Sequence, residues 1–259
     1  MTDERKDQLT AEADGLIEGR NAVIEALRTE ASIDKIFIQK GEVDKTLGHI
    51  ASRARDAGIV VVEADRRKLD GISRTHAHQG VIALAAVREY VSVDDILADA
   101  AAKNESPLIV VCDEISDPHN LGAILRTAEC AGAHGLIAPL KNSAPVNAEA
   151  IRSSAGALTT IPVCRVGSVR NTLKQLQTEG FQVVAATEKS RKLLYDADFR
   201  KPTVLVMGAE DTGISKEVLK LCDEQLAIPL IGHIESLNVS AAAAVMLFEV
   251  VRQRIGPEN

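Results

Sequence analysis

Three short segments in the second half of this 259-residue chain place glycine and polar residues where apolar runs end. The first is Asp117-Pro-His-Asn-Leu-Gly-Ala-Ile-Leu-Arg-Thr, in which Pro118 and Asn120 suit a helix entry. Arg126 follows on the same helix among Ile124, Leu125 and Ala128, and a guanidinium there needs an anion or a strip of water. The second, Val204-Leu-Val-Met-Gly-Ala-Glu-Asp-Thr-Gly-Ile-Ser, is a buried strand opening into a loop. Its Gly208 and Gly213 let main chain approach a ligand closely, beside the acids Glu210 and Asp211. The third, Ile228-Pro-Leu-Ile-Gly-His-Ile-Glu-Ser-Leu-Asn-Val-Ser, feeds an alanine-rich helix; Ser236 and Asn238 are both good N-terminal caps, although a helix needs one. Each segment alone has a plain reading as a solvated arginine, a helix lead-in or a cap. Their shared position at strand ends, where open α/β sheets bind ligands, makes them a candidate site.

Other reactive side chains carry less. His76 and His78 would point to one side of a strand, but no third ligand cluster accompanies them and no metal is expected. His119 and His233 flank the candidate site, where cap or loop-packing roles weigh as much as acid–base chemistry. Four widely spaced cysteines form no Cys-x-x-Cys pair and read as reduced core residues.

The elements that must hold the three segments alternate. Strands at Leu108–Cys112, Gly135–Ala138, Phe181–Ala186 and Thr203–Met207 are interleaved with helices after His119, at 148–155 and at Val169–Thr178, which implies a parallel α/β sheet. A last helix over Val239–Gln253 is apolar on most of its surface, suited to core packing or to a second subunit. Before this half, helices around Ala22–Leu27 and Leu47–Ala54, strands at Lys35–Gln39 and Ile59–Val62, a basic helix at Arg66–Ile72 and a strand at 81–87 make a small α/β domain. The expected division is a domain over 15–88, a linker over 89–106 and a second domain over 107–256.

No run is long enough to span a bilayer, and the charged start, 1–14, lacks the apolar core of a signal peptide, so a cytoplasmic protein is expected. The formal charge of −7 disfavours a uniformly basic nucleic-acid binder. Basic residues nevertheless gather at Arg53, Arg55, Arg66, Arg67, Lys68 and Arg74, and again at Lys189, Arg191 and Lys192.

The three segments together closely resemble the motifs of the SpoU, or TrmH-type, RNA ribose 2′-O-methyltransferases of the SPOUT superfamily. Asp117-Pro-His-Asn-Leu-Gly with Arg126-Thr is similar to the first motif, and Met207-Gly-Ala-Glu with Gly213-Ile-Ser to the second. Ile228-Pro with Ser236-Leu-Asn-Val-Ser is similar to the third. Gly19-Arg-Asn-Ala-Val and His78-Gln-Gly-Val-Ile-Ala extend the likeness into the first domain, as in the bacterial branch that modifies a guanosine of 23S ribosomal RNA. The resemblance implies an α/β parallel-sheet domain with a deep C-terminal trefoil knot, a homodimer, and an N-terminal RNA-binding domain. It also implies S-adenosylmethionine held by Thr187, Gly208, Ile228, Pro229, Ser236 and Leu237. Asn120, Arg126, Glu210, Ser236 and Asn238 would be catalytic, and Arg53, Arg66, Arg67, Lys68 and Arg74 would touch structured RNA.

The chemistry implied is displacement at a sulfonium methyl by a ribose oxygen, which needs in-line placement and a stabilised oxyanion. Because a guanidinium stays protonated at ordinary pH, Arg126 is expected as a clamp on phosphate and alkoxide, with the proton passing to water or Glu210. A tRNA or antibiotic-resistance methyltransferase shares every motif, and a non-catalytic ribosome-assembly factor would keep the fold. A Rossmann enzyme is disfavoured because no Gly-x-Gly-x-x-Gly follows the first strand. Aromatic residues are so few, 2%, that RNA recognition should rest on shape and backbone rather than stacking.

Overall fold

The computed structural model describes residues 15–29, 31–41, 44–85 and 90–255. The charged start expected at 1–14, the end of the strand expected at 81–87, and residue 256 lie outside the described residues. The chain divides into two compact units, the first ending at Glu89 and also taking in Pro145–Ala148, the second holding the remainder from Tyr90.

The first unit is a four-stranded sheet ordered β1-β4-β2-β3, with β1 at Leu16–Glu18, β2 at Ile33–Gln39, β3 at Val60–Ala64 and β4 at Val81–Ala85. β4 runs antiparallel to β1 and β2, and β2 and β3 are parallel. Helices α1 (Arg20–Arg28) and α2 (Lys45–Asp56) bury Val23, Leu27, Leu47, Ile50 and Ala54 against Ile36, Ile38 and Val81 on one face. Helix α3 (Arg66–Ile72) buries Leu69 with Phe37 and Ile82 on the other. Asp44 and Asp65 cap α2 and α3, which is why each helix starts where it does.

The second unit is a six-stranded parallel sheet ordered β10-β8-β9-β5-β6-β7. Its strands are β5 (Leu108–Asp113), β6 (Gly135–Pro139), β7 (Val163–Val166), β8 (Gln182–Ala186), β9 (Thr203–Gly208) and β10 (Glu224–Leu226). Every residue of β5 and β9 is buried, as parallel strands covered on both faces require. Helices α4 (Val93–Lys103), α7 (Val169–Thr178) and α8 (Lys216–Leu219) pack Ile96, Leu173, Leu176 and Val218 on one face. Helices α5 (Pro118–Cys130) and α9 (Val239–Ile255) pack against each other, burying Leu121, Ile124, Leu125, Met246 and Val250; α6 (Ala148–Ser154) lies between β6 and β7 in the chain.

Two expectations need correction. The stretch 89–106, expected as a linker around an alanine-rich helix, does carry that helix, α4, but a reciprocal Ser92–Asp95 capping box opens it, Ala100 is fully buried and the fully buried Ile96 packs it into the second core. The polar Lys103-Asn-Glu-Ser-Pro run ends that helix rather than separating domains. His76 and His78 do not share one side of a strand. His76 sits in a loop with φ 55°, and the buried His78 ring meets Asp70 at 3.0 Å and accepts from Gly80 N at 3.0 Å. Among the described residues no group of three or more His, Cys, Asp or Glu is placed to hold a metal, and no helix is long and apolar enough to cross a membrane.

Candidate active site

The chain runs from β5 out to β7, returns past β5 to β8, and then inserts β9 between them, so the strand order reverses beside β5. At such a switch point the crevice outside the carboxyl ends of the strands is open to a ligand. A cavity of about 280 Å³ lies there, near the lower end of the roughly 300–1,000 Å³ usual for small-molecule sites. Thr187 after β8, Gly208 at the end of β9, Ile228 after β10, and Ser236 and Leu237 before α9 line it. Pro229 is exposed and is not among the lining residues.

Gly208 shows why this wall admits no other residue. A Cβ there would stand 2.2 Å from Ile214 N and 2.3 Å from the carbonyl carbon of Gly213, so the strand end and the 209–213 turn close on each other with nothing between. The turn is held from beneath by Asp113, a buried acid at the end of β5 that accepts from Ser215 N at 2.8 Å. Sequence reasoning missed Asp113. An acid closing an otherwise wholly apolar strand was the signal available.

Asn238 organises the mouth. Its Oδ1 accepts from Ser240 N at 3.0 Å and Ala241 N at 3.4 Å, capping α9. Because backbone N–H groups only donate, the oxygen is fixed toward the helix and the amide nitrogen faces away. That nitrogen donates to Asn120 Oδ1 at 3.0 Å and to Glu210 Oε1. Asn120, nine-tenths buried in the first turn of α5, is positioned by a helix that Asp117 caps at His119 N (2.9 Å) and Pro118 opens. A second recess of about 170 Å³, lined by Ser116, Asp117, Asn120, Glu210 and Asp211, shares Glu210 and Asp211 with the first.

Asn120, Glu210 and Asn238 are therefore brought together, and of the three Glu210 lines the first cavity with Ser236. Arg126 is not among them: it is exposed on α5 and makes no hydrogen bond or ion pair with any described residue. His119 pairs with Glu149 at 3.1 Å, and His233 is exposed in the loop before α9. In the first unit, Arg53 lies on α2, Arg66, Arg67 and Lys68 on α3, and Arg74 in the following loop, all exposed, with Lys68 Nζ 5.5 Å from the Phe37 ring centre.

A parallel α/β sheet with a small-molecule cavity at its switch point, and with Glu210 of an amide–carboxylate cluster on the cavity wall, has the arrangement of an α/β enzyme that binds a small molecule at its strand ends. Residues 107–248 match the SpoU rRNA Methylase family and residues 16–91 match the domain described as RNA 2′-O ribose methyltransferase substrate binding. The chain belongs to the SpoU rRNA methylase family, as its three motifs implied. It is 40% identical over 241 residues to the 23S rRNA (guanosine-2′-O-)-methyltransferase RlmB of Ralstonia nicotianae, covering 92% of this chain and 96% of that one. The SpoU methyltransferase AviRb from Streptomyces viridochromogenes, solved in complex with AdoMet, is similar with a TM-score of 0.60 at 27% identity, over 95% of this chain and 93% of that one. The AdoMet-bound rRNA methyltransferase from Sinorhizobium meliloti gives 0.57 at 27% identity, over 94% and 89%.

Proposed function

We propose that this chain transfers a methyl group from S-adenosylmethionine to a ribose 2′-hydroxyl of structured RNA, a guanosine of 23S rRNA, in the cytoplasm, as a homodimer whose C-terminal region forms a trefoil knot. The observation that carries this reading is the Asn238 amide, locked by its cap and joined to Asn120 and Glu210 at the mouth of the cavity that Gly208 walls. The knot is supported by family membership alone.

The cavity suits the donor through its lining: main chain at Gly208 and Ile228 for hydrogen bonding to a base or amino acid, and apolar surface from Ile228 and Leu237. When bound, S-adenosylmethionine supplies an electrophilic methyl on a positively charged sulfur. Asn120 and Asn238 fix Glu210, whose Oε1 takes the Asn238 donor while Oε2 is left to accept the hydroxyl proton, directly or through water. Ser236 lines the same wall and can orient the acceptor sugar. Arg126 supplies the fixed positive charge that steadies the adjacent phosphate and the oxygen as it loses its proton.

Arg126 has no partner among the described residues, and we assign it to the site of a second copy. Helix α9 supports that arrangement. It is apolar on most of its surface up to Val251, yet Ala241, Phe248 and Ile255 stand exposed along one side at spacings of seven residues. In the loop before it Ile231 is 99% and Ile234 77% exposed. A single chain has nothing to gain from leaving that surface wet.

The test is transfer of isotopically labelled methyl to a 23S rRNA transcript, with the product nucleoside identified by mass spectrometry. 2′-O-methylguanosine is expected; a base-methylated nucleoside, or no transfer to any RNA, would overturn the reading. Arg126→Ala and Asn238→Asp proteins, each slowed on the order of 10²-fold alone, should regain activity when mixed and re-equilibrated. Mixtures that stay as slow would place the arginine elsewhere.

A further inference from the structure

The first unit contains a recess of about 390 Å³ that the three motifs do not use, lined by Arg20, Gln39, Arg66, His76, Gln79 and Gly80, with His78 behind them. Arg20 and Arg66 are among the residues that line it, and no Asp or Glu is. Arg20 is anchored by Asp44 at 2.6 Å and by donating to Gln79 O at 3.0 Å. Arg66, at the start of α3, has no partner among the described residues, nor does the side chain of Gln39 or the amide nitrogen of Gln79.

The loop that forms one wall is held rather than loose. Glu18 accepts from Ser73 Oγ at 2.5 Å, Arg74 N at 2.8 Å and Thr75 Oγ1 at 2.7 Å. Burial raises the Glu18 carboxyl, and these bonds more than offset it, holding it below the usual range. The buried His78 ring is pinned at both nitrogens, and Gln39 N donates to Gly80 O at 2.8 Å. Within this frame His76 and Gln79 adopt φ of 55° and 51°, a left-handed conformation that non-glycine residues hold only where the surroundings impose it. The ordering cost of the wall is met before any ligand arrives.

Free guanidinium recognises phosphate, and paired carboxamides read the donor–acceptor edge of a base; a bare anion would leave the amides unused. We propose that this recess seats one unstacked nucleotide of the RNA substrate, its phosphate against Arg66 and Arg20 and its base edge against the side-chain amides of Gln39 and Gln79. The inference rests on the methyltransferase reading above for the identity of the RNA. It moves recognition from a broad basic face to a defined subsite that includes Arg20, Gln39 and Gln79.

The full-length protein and a 23S rRNA transcript test it, by steady-state methylation and by fluorescence anisotropy without donor. Arg66→Ala should raise KM and Kd for the transcript on the order of tenfold with kcat unchanged, and lower the salt slope of binding by about one. Gln79→Asn, which tolerates the left-handed backbone but shortens the amide, should weaken binding on the order of fivefold without changing that slope. Arg28→Ala removes the same charge about 12 Å along α1 and should stay within twofold of wild type. The subsite is wrong if Arg66→Ala and Gln79→Asn bind normally, or if Arg28→Ala weakens binding as much as Arg66→Ala. Wild-type protein that binds the transcript but transfers no methyl would refute the methyltransferase reading and leave the subsite standing.

Discussion

Substituting Asn238 separates chemistry from folding, because its two polar ends serve different purposes. The oxygen caps α9 and the nitrogen ties Asn120 to Glu210. Aspartate keeps the cap, since Asn and Asp rank alike at that position, and its charge gains about 0.3–1 kcal/mol from the helix terminus. It also removes the donor and sets a second carboxylate against Glu210. That repulsion lies between about 1 kcal/mol in bulk water and about 4 kcal/mol near a protein surface at 4 Å, and falls toward the lower figure because both groups are exposed. Asn120 can turn its amide nitrogen to the new carboxylate, so stability should change by no more than about 1 kcal/mol, while kcat falls on the order of 10²-fold. Alanine loses the cap, about 1 kcal/mol, and strands the buried Asn120 oxygen, about 1–3 kcal/mol. The sum is roughly 3 kcal/mol, a melting temperature roughly 10 °C lower for a chain of this size. Serine restores the cap but not the amide, so it should recover only about 1 kcal/mol of the alanine loss and still be slow. Scanning calorimetry and single-turnover methylation read the two effects separately. An aspartate variant within threefold of wild-type turnover, or an alanine variant with unchanged melting, would refute the dual role.

Gly208→Ala forces a methyl against the main chain of Gly213 and Ile214, which cannot rotate aside; a loss of about 1–3 kcal/mol and undetectable S-adenosylmethionine binding by calorimetry are expected. Wild-type affinity would show that the wall is not the donor site. Acid should unfold the protein in part through Glu249, a buried carboxylate bonded to Arg252 at 2.7 Å and to Gln253 at 2.7 Å. Arg252 holds that carboxyl below the usual range against the opposing effect of burial, so its contribution is complete above the unfolded value near about 4.3 and is lost as pH falls through the lower folded value. Melting temperatures should hold from neutrality to about pH 5 and then fall, less steeply in Glu249→Gln; an identical acid limb in both proteins would exclude this pair as a cause. Burial pushes the thiols of Cys112 and Cys222 up to about 12 and Cys164 up to about 11, whereas Cys130 is exposed. Ellman's reagent should find one fast thiol in the native protein and four after denaturation, and a second fast native thiol would contradict this packing.

What could be read from the sequence divides by the range of the interaction that decides it. β5 and β9 are legible because a strand buried on both faces must be apolar at every position, and α9 because alanine and branched residues continue through four turns. The three motifs are legible for the same reason: each is a local strand-to-helix turn. β10, Glu224-Gln-Leu226, has no such pattern; it exists because β8 offers an open edge to it, forty residues away in the chain. α4 shows the converse: the alanine-rich helix is legible, but its short apolar stripe between polar ends reads as a connector until Ile96 joins Ile109 and Leu173 in one core. The candidate site itself is the longest-range feature. Asn238 finds Asn120 across 118 residues, and Asp113 finds Ser215 across 102. Residue type announced each member, but only the sheet order, with β9 inserted beside β5, brings them to one edge. Arg126 is the residue this reasoning leaves open: its type and its apolar helix called for an anion or a strip of water, and the folded chain leaves it exposed, with no partner among the described residues. Under the proposed function that exposed charge belongs to the site of a second copy, and the mixing of Arg126→Ala with Asn238→Asp protein decides between that copy and plain solvent.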